Sequence, residues 1–199
     1  MRSRFRMAMF ITLPSHRAGK GDMSTQKLTR IALLSAILYV SKVALEFLPN
    51  VEIVTLLIII YSLVFGKESI LIVTVFNFFE LIQWGFGTWW ISYLYVWPLL
   101  CVITLLLKKI LKEEFVAWSV VSGGFGIIFG SLFAVLYLPI DPAYALSYWI
   151  SGLPWDVWHG GFNFILMLIL GKPLYRLLMR LKKLFKENRD QSSGNKNCS

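Results

Sequence analysis

Two polar patterns inside otherwise apolar stretches contain the side chains best suited to bind a ligand. Each pattern places three side chains at positions i, i+3 and i+7: Asn77, Glu80 and Trp84 in one, and Asp156, His159 and Asn163 in the other. Residues with this spacing share one face of an α-helix. Ionisable groups within apolar helices are costly unless they pair or line a cavity. Both patterns therefore indicate binding chemistry by hydrogen bonds and charge.

The first predicted helix has a comparable polar face. Its polar side chains recur at spacings of four, three and four residues: Ser35, Tyr39, Lys42 and Glu46. Lys42 has three possible roles: it can bind a ligand, pair with Glu46 one turn away, or pair with Glu80 across the bundle. His159 can likewise be a ligand contact or a core histidine bonded to a backbone carbonyl. The sequence leaves these alternatives open.

Tryptophans are concentrated in residues 83–97 and 139–163. These two stretches hold seven of the eight tryptophans and none of the 20 Lys and Arg residues. Tryptophan often forms an interfacial belt at a bilayer surface, but here it is mixed with acids, amides and a histidine, which favours a ligand site. Indole rings also stack on flat organic molecules. The predicted substrate-binding residues are Lys42, Glu46, Asn77, Glu80, Trp84, Trp89, Trp90, Tyr93, Trp155, Asp156, His159 and Asn163.

The composition is that of an integral membrane protein. Apolar residues make up 57% of the chain and charged residues only 16%, and the mean hydropathy is +0.65. The formal net charge of +9 comes from basic residues that flank apolar runs. Such residues report topology and contact with the lipid bilayer, so we expect no nucleic-acid partner. The two cysteines have no metal-ligand spacing, and we expect neither a metal nor a cofactor.

Six apolar runs predict an all-α protein with six transmembrane helices, at 28–47, 51–65, 69–84, 91–111, 115–138 and 154–171. Basic residues fall at one face of this arrangement, which places both termini in the cytoplasm and the tryptophan-rich stretches outside the cell membrane. Residues 1–22 are predicted to be a disordered or mis-started extension. Residues 23–184 form the membrane domain, with an amphipathic helix after Pro173, and residues 185–199 are predicted to be a disordered tail.

A second stripe on the first helix consists of small or apolar residues at four-residue spacing: Ala32, Ala36, Val40 and Ala44. Small residues let a second helix approach closely, and helix association in lipid depends on such packing. The partner can be another protein. By default, however, an isolated Ala-x-x-x-Ala motif packs against helices of its own chain.

Several of these features together resemble the substrate-binding S component of an energy-coupling-factor (ECF) vitamin transporter. They are the six predicted helices, the early Ala32-x-x-x-Ala36 motif, the aromatic outer loops, the run DVWHGGFN at 156–163 and the run GKPL at 171–174. The resemblance covers residues 24–184. It implies an S-component-like bundle that binds a vitamin or related micronutrient beneath the loops 48–51, 85–92 and 139–153.

The resemblance also implies partners. In this family the small-residue motif contacts the transmembrane coupling subunit, so Ala32 and Ala36 are predicted to form that interface, and two ABC-type ATPase subunits complete the importer. The chain itself has no Gly-x-x-x-x-Gly-Lys-Ser/Thr phosphate loop and therefore cannot hydrolyse ATP.

Three other functions compete with this interpretation. A stand-alone secondary carrier of an organic solute is one, and a divalent-metal carrier that uses Asp156, His159 and Glu80 as ligands is another. An intramembrane protease would need a nucleophile such as Ser131 and a base such as His159 within a recognisable motif, and no such motif surrounds them. We therefore expect a non-enzyme.

Overall fold

The structure, a computed structural model, describes residues 25–48 and 51–195, with side chains to residue 184. Within these residues six α-helices follow one another: α1 (Thr25–Leu45), α2 (Val54–Phe65), α3 (Glu68–Trp84), α4 (Thr88–Leu111), α5 (Phe115–Ala134) and α6 (Pro142–Asn195). The described residues contain no β-strand. The predicted all-α architecture is therefore confirmed, while the predicted extension at residues 1–22 lies outside the described residues.

Helix α2 lies at the centre of the bundle and contacts each of the other five helices. Every residue from Val54 to Val64 is buried, because the sequence VTLLIIIYSLVF is apolar on all sides and needs protein rather than water around it. Its 12 residues span about 18 Å. The hydrocarbon core of a bilayer is about 30 Å thick, so α2 is shorter than a full span.

Four of the helices are long and apolar enough to cross a membrane, and the shorter α2 is also apolar. These four are α1, α4, α5 and residues 142–184 of α6. The chain is thus a membrane protein, as its composition predicts. The count of six spans and the cytoplasmic position of both termini stay predictions.

The start of α6 differs from the sequence prediction. A loop was predicted over 139–153 and a helix from Pro154, but α6 begins at Pro142 and continues through Pro154 and Pro173. The Asp141 carboxylate explains this start, because its Oδ1 atom accepts hydrogen bonds from the backbone N–H groups of Ala143 at 3.0 Å and Tyr144 at 3.1 Å. A proline directly after such a cap occupies the favoured first helical position.

The end of α6 also differs from prediction. The last transmembrane helix was predicted to end at residue 171, but α6 continues through residues 171–173. The backbone of α6 reaches Asn195, within the tail that the sequence predicts to be disordered from residue 185. The last four residues lie outside the described part of the chain.

The polar face of α1 packs on α3. The Ser35 hydroxyl is buried 2.8 Å from the Ile72 carbonyl oxygen, and one turn further the rings of Tyr39 and Phe79 lie 5.7 Å apart. At the start of both helices, Arg30 forms an ion pair with Glu68. The polar spacing on α1 therefore marks its contact with α3.

Two lysines from distant helices close the carboxyl end of α2. Lys108 on α4 donates a hydrogen bond to the Leu63 carbonyl oxygen, and Lys182 on α6 donates to the Val64 carbonyl oxygen at 2.6 Å. The last carbonyls of a helix have no partner within the helix, and cations near them are favourable. Basic residues of α4 and α6 thus gather at one end of the bundle, which we call the basic end.

Helices α5 and α6 make the closest helix contact at glycines. A Cβ atom on Gly126 would lie 2.7 Å from the Gly160 Cα atom, and a Cβ atom on Gly160 would lie 2.7 Å from the Gly123 carbonyl oxygen. No real Cβ atom is tolerated at such distances, so this contact requires glycine on both helices. It brings His159, the neighbour of Gly160, against α5.

Candidate functional site

A cavity of about 240 Å³ lies at the end of the bundle opposite the basic end. The carboxyl end of α1, the segment before α2, and α4, α5 and α6 all contribute to its wall. Its lining consists of four ionisable, three aromatic and four aliphatic residues: Lys42, Glu46, Glu52 and His159; Tyr93, Trp97 and Phe129; Leu45, Leu48, Val51 and Val54. We call it the polar cavity. Its mixture of charge and aromatic surface is typical of a site for a small organic molecule.

One charged wall of the polar cavity is the ion pair of Lys42 and Glu80. The Lys42 Nζ atom contacts Glu80 Oε2, and the Glu80 side chain is fully buried behind it. The same ammonium group lies 5.7 Å from the centre of the Tyr93 ring and 5.9 Å from that of Trp84. Of the three roles left open by the sequence, the structure therefore places Lys42 in the pair across the bundle, at the edge of the cavity.

The opposite wall is the contact between Glu52 and His159. Glu52 Oε1 lies 3.3 Å from His159 Nε2, and Glu52 Oε2 accepts a hydrogen bond from the Thr55 N–H at 3.0 Å. The Thr55 hydroxyl also donates a hydrogen bond to Glu52 Oε1. The Glu52 carboxylate therefore caps the amino end of α2 and links it to α6.

Three aromatic rings form a continuous surface between these two walls. The ring centres of Tyr93 and Trp97 are 5.3 Å apart, and those of Trp97 and Phe129 are 5.4 Å apart. Phe129 in turn stacks on His159 at 5.0 Å with an interplanar angle of 25°. Trp97 is only 2% exposed, and its Nε1 donor has no hydrogen-bond partner among the described residues. A buried N–H of this kind favours a ligand with an acceptor atom.

Several predicted site residues hold helices together near the cavity without lining it. The Asn77 Nδ2 atom donates to the Tyr93 carbonyl oxygen at 3.0 Å, and the Trp90 Nε1 atom donates to the Asn77 carbonyl oxygen at 2.8 Å. Trp89 packs edge-on against the Tyr93 ring at 5.4 Å. The two hydrogen bonds fix α3 against α4, and the Trp89 contact within α4 supports the Tyr93 ring.

The remaining predicted residues lie further from the cavity. Trp84 and Trp155 are 48% and 58% exposed, and neither lines the cavity. Asp156 accepts a hydrogen bond from the Gly130 N–H at 3.0 Å, which ties α6 to α5. Asn163 is buried outside the cavity lining. The structure therefore gathers Lys42, Glu46, Tyr93 and His159 at one cavity and distributes the other predicted residues around it.

The three residues considered as metal ligands do not converge. Glu80 pairs with Lys42, Asp156 binds the Gly130 backbone, and His159 faces Glu52. Within the part of the chain that the structure describes, no group of three or more His, Cys, Asp or Glu side chains could hold a metal ion. The arrangement supports binding of an organic molecule by charge, hydrogen bonds and ring contacts.

Sequence reasoning missed three cavity residues: Glu52, Trp97 and Phe129. The sequence does contain a pattern that predicts Trp97 as a site residue, because Trp97 follows Trp89 and Tyr93 at four-residue spacing on one helix face. Glu52 lies at the start of the predicted helix 51–65, where an acidic side chain is favoured. Phe129 resembles any other apolar residue of α5, and only the tertiary structure brings it to the cavity.

The described residues thus form an all-helical membrane bundle with a polar cavity at one end, an arrangement suited to binding a small molecule. A family model described as the substrate-specific component of ECF transporters matches residues 26–171. The chain belongs to this family, whose members are transport subunits embedded in the cell membrane. No curated protein and no solved structure gave a significant match.

Proposed function

We propose that this chain is the binding subunit of an ATP-driven ECF importer and captures a vitamin or related organic micronutrient from outside the cell. The observation that carries the proposal is the polar cavity, in which two charged walls and an aromatic surface line a volume of about 240 Å³. Membership of the substrate-specific family assigns substrate recognition to this chain. The polar cavity is the candidate place for that recognition.

The position of the cavity supports uptake from outside. It lies opposite the basic end, where Lys108 and Lys182 reach the carboxyl end of α2. Because basic residues favour the cytoplasmic side of membrane proteins, the cavity then opens outward and both termini are cytoplasmic. Six membrane crossings would agree with this orientation, because an even number places both termini on the same side.

The exterior of α1 supports an interface with the transmembrane coupling subunit. Ala32 and Ala44 are exposed, Ala36 is half-buried and Val40 is 60% exposed. This stripe is largely uncovered by the described helices of the same chain, so a second protein can approach it closely. Two ABC-type ATPase subunits would supply the energy through that coupling subunit.

We expect the double variant Ala32→Trp with Ala36→Trp to abolish co-purification with the coupling and ATPase subunits. Indole rings on the stripe would hold a partner helix several ångströms away from the α1 backbone, where packing contacts are lost. The control is Ile37→Trp, since Ile37 is 42% exposed and lies about 100° around the helix from Ala36 and about 140° from Ala32. Co-purification of the double variant at the control level would refute this interface.

We expect the protein purified in mild detergent from cells grown in rich medium to retain a small organic molecule, seen as added mass by native mass spectrometry. Trp97→Leu and His159→Ala should each remove that added mass, because they delete cavity surface. Trp149→Leu should keep it, since Trp149 lies outside the cavity lining.

Two results would count against this function. Retention of the added mass by both cavity variants would place the binding site elsewhere in the molecule. Uptake by cells that lack all ECF ATPase subunits would instead favour a stand-alone secondary carrier.

A further inference from the structure

We propose that the polar cavity selects a monocyclic organic cation, such as a protonated or quaternised nitrogen heterocycle with one hydrogen-bond acceptor. This inference rests on the proposed binding function and specifies its substrate class. Three independent properties of the cavity carry it: the balance of charge, the aromatic surface and the volume.

The charge balance is negative. The ionisable groups at the cavity are one cation, Lys42, and two carboxylates, Glu46 and Glu52, and the buried Glu80 behind Lys42 adds a third carboxylate. One positive and three negative charges leave a sum of −2, and a protonated His159 would reduce this only to −1. Lys42 pairs with Glu80 and Glu52 contacts His159, so Glu46, which is exposed at the cavity, is the carboxylate without an ion-pair partner among the described residues. A cationic ligand supplies the missing charge.

The aromatic surface suits the same ligand. Tyr93, Trp97 and Phe129 form a row of rings next to the carboxylates. Lys42 lies over the Tyr93 ring and His159 stacks on Phe129, so Trp97 is the ring of this row left for a ligand cation. The unpartnered Trp97 Nε1 donor adds a requirement, because burying it without an acceptor is unfavourable. A ring that carries both a positive charge and a carbonyl or hydroxyl oxygen would meet both demands.

The volume suits a ligand with a single ring and small substituents. A cavity of about 240 Å³ is smaller than the ~300–1,000 Å³ of most drug-sized ligand sites. With a water molecule occupying about 30 Å³ of liquid, it holds on the order of ten non-hydrogen atoms. Because the cavity is open on one side, a larger ligand would extend beyond it.

Three probes with the same number of non-hydrogen atoms test the charge selection directly. They are the N-methylnicotinamide cation, the neutral meta-toluamide and the anionic meta-toluate, and their binding to the detergent-purified protein is measured by titration calorimetry. We expect the cation to bind roughly tenfold or more tightly than the neutral amide, because a contact to a charged group exceeds a neutral one. Meta-toluate should bind most weakly.

Carboxylate variants locate the source of that preference. Glu46→Gln and Glu52→Gln should each reduce the ratio of cation to amide affinity severalfold, whereas Glu114→Gln, at the other end of the bundle, should leave it unchanged. Glu52 also caps α2, so Glu46→Gln keeps the test valid if Glu52→Gln fails to fold. Equal affinity for the three probes, preference for meta-toluate, or binding of none of them would overturn the inference. Co-purification with the ATPase subunits is independent of these results and tests the transport function separately.

Discussion

Gly126→Leu is expected to prevent stable packing of α5 against α6. A Cβ atom at this position would already lie 2.7 Å from the Gly160 Cα atom, and the obstacle is backbone, which cannot rotate away as a side chain can. The two helices would have to separate along their contact, and overpacking of this kind costs about 3 kcal/mol or more. Thermal unfolding in detergent, followed by size-exclusion chromatography of the heated protein, would show a large fall in the melting temperature.

The neighbouring Gly124 provides the matched control for this effect. A Cβ atom on Gly124 would meet nothing within 4 Å, and the residue is exposed. Gly124→Leu should therefore unfold at nearly the same temperature as the unmodified protein. If Gly126→Leu and Gly124→Leu unfold together, the close glycine contact between α5 and α6 is not a determinant of stability.

Lys42→Met is expected to destabilise the protein by about 3–5 kcal/mol, the usual cost of removing one partner from a buried ion pair. The reason is the Glu80 carboxylate, which is 0% exposed and keeps no other countercharge in contact within the described structure. The opposite change, Glu80→Gln, should cost less, because the Lys42 side chain is 24% exposed and faces the cavity. The melting temperature in detergent measures both effects.

The double variant Lys42→Met with Glu80→Gln tests whether the unpaired Glu80 carboxylate causes the loss of stability in Lys42→Met. If the loss in Lys42→Met comes from an unpaired carboxylate, removing that carboxylate as well should restore most of the stability. A double variant as unstable as Lys42→Met would show that packing of the lysine stem, rather than charge, is responsible.

Much of the bundle was predictable because its apolar runs are clearly interrupted. Gly66 and Lys67 separate α2 from α3, and Lys112 to Glu114 separate α4 from α5, so each helix up to α5 begins within a few residues of its predicted start. The predicted start of α6 was wrong because both Pro142 and Pro154 can occupy the first position of a helix. Pro142 follows an aspartate that caps the helix, and this local hydrogen bond decides between them.

The candidate site was less predictable, because it depends on helix register. Lys42 has Glu46 one turn away in sequence, yet it pairs with Glu80, 38 residues further along the chain. The packing of Ser35 on Ile72 sets the register of α1 on α3, and no pattern within either helix specifies it. Glu52 and His159 likewise meet across more than a hundred residues of sequence, through the glycine contact of α5 and α6.

The short central helix has a consequence for how the protein is made. The Leu63 and Val64 carbonyls at its carboxyl end receive their hydrogen bonds from lysines 45 and 118 residues further along the chain. A helix of about 18 Å alone in lipid would leave these carbonyls without partners inside hydrocarbon about 30 Å thick. We therefore expect α2 to reach its final depth in the bilayer only after the ribosome has synthesised α6. Truncation before Lys182 should then yield a chain that inserts into the membrane but remains susceptible to quality-control proteolysis.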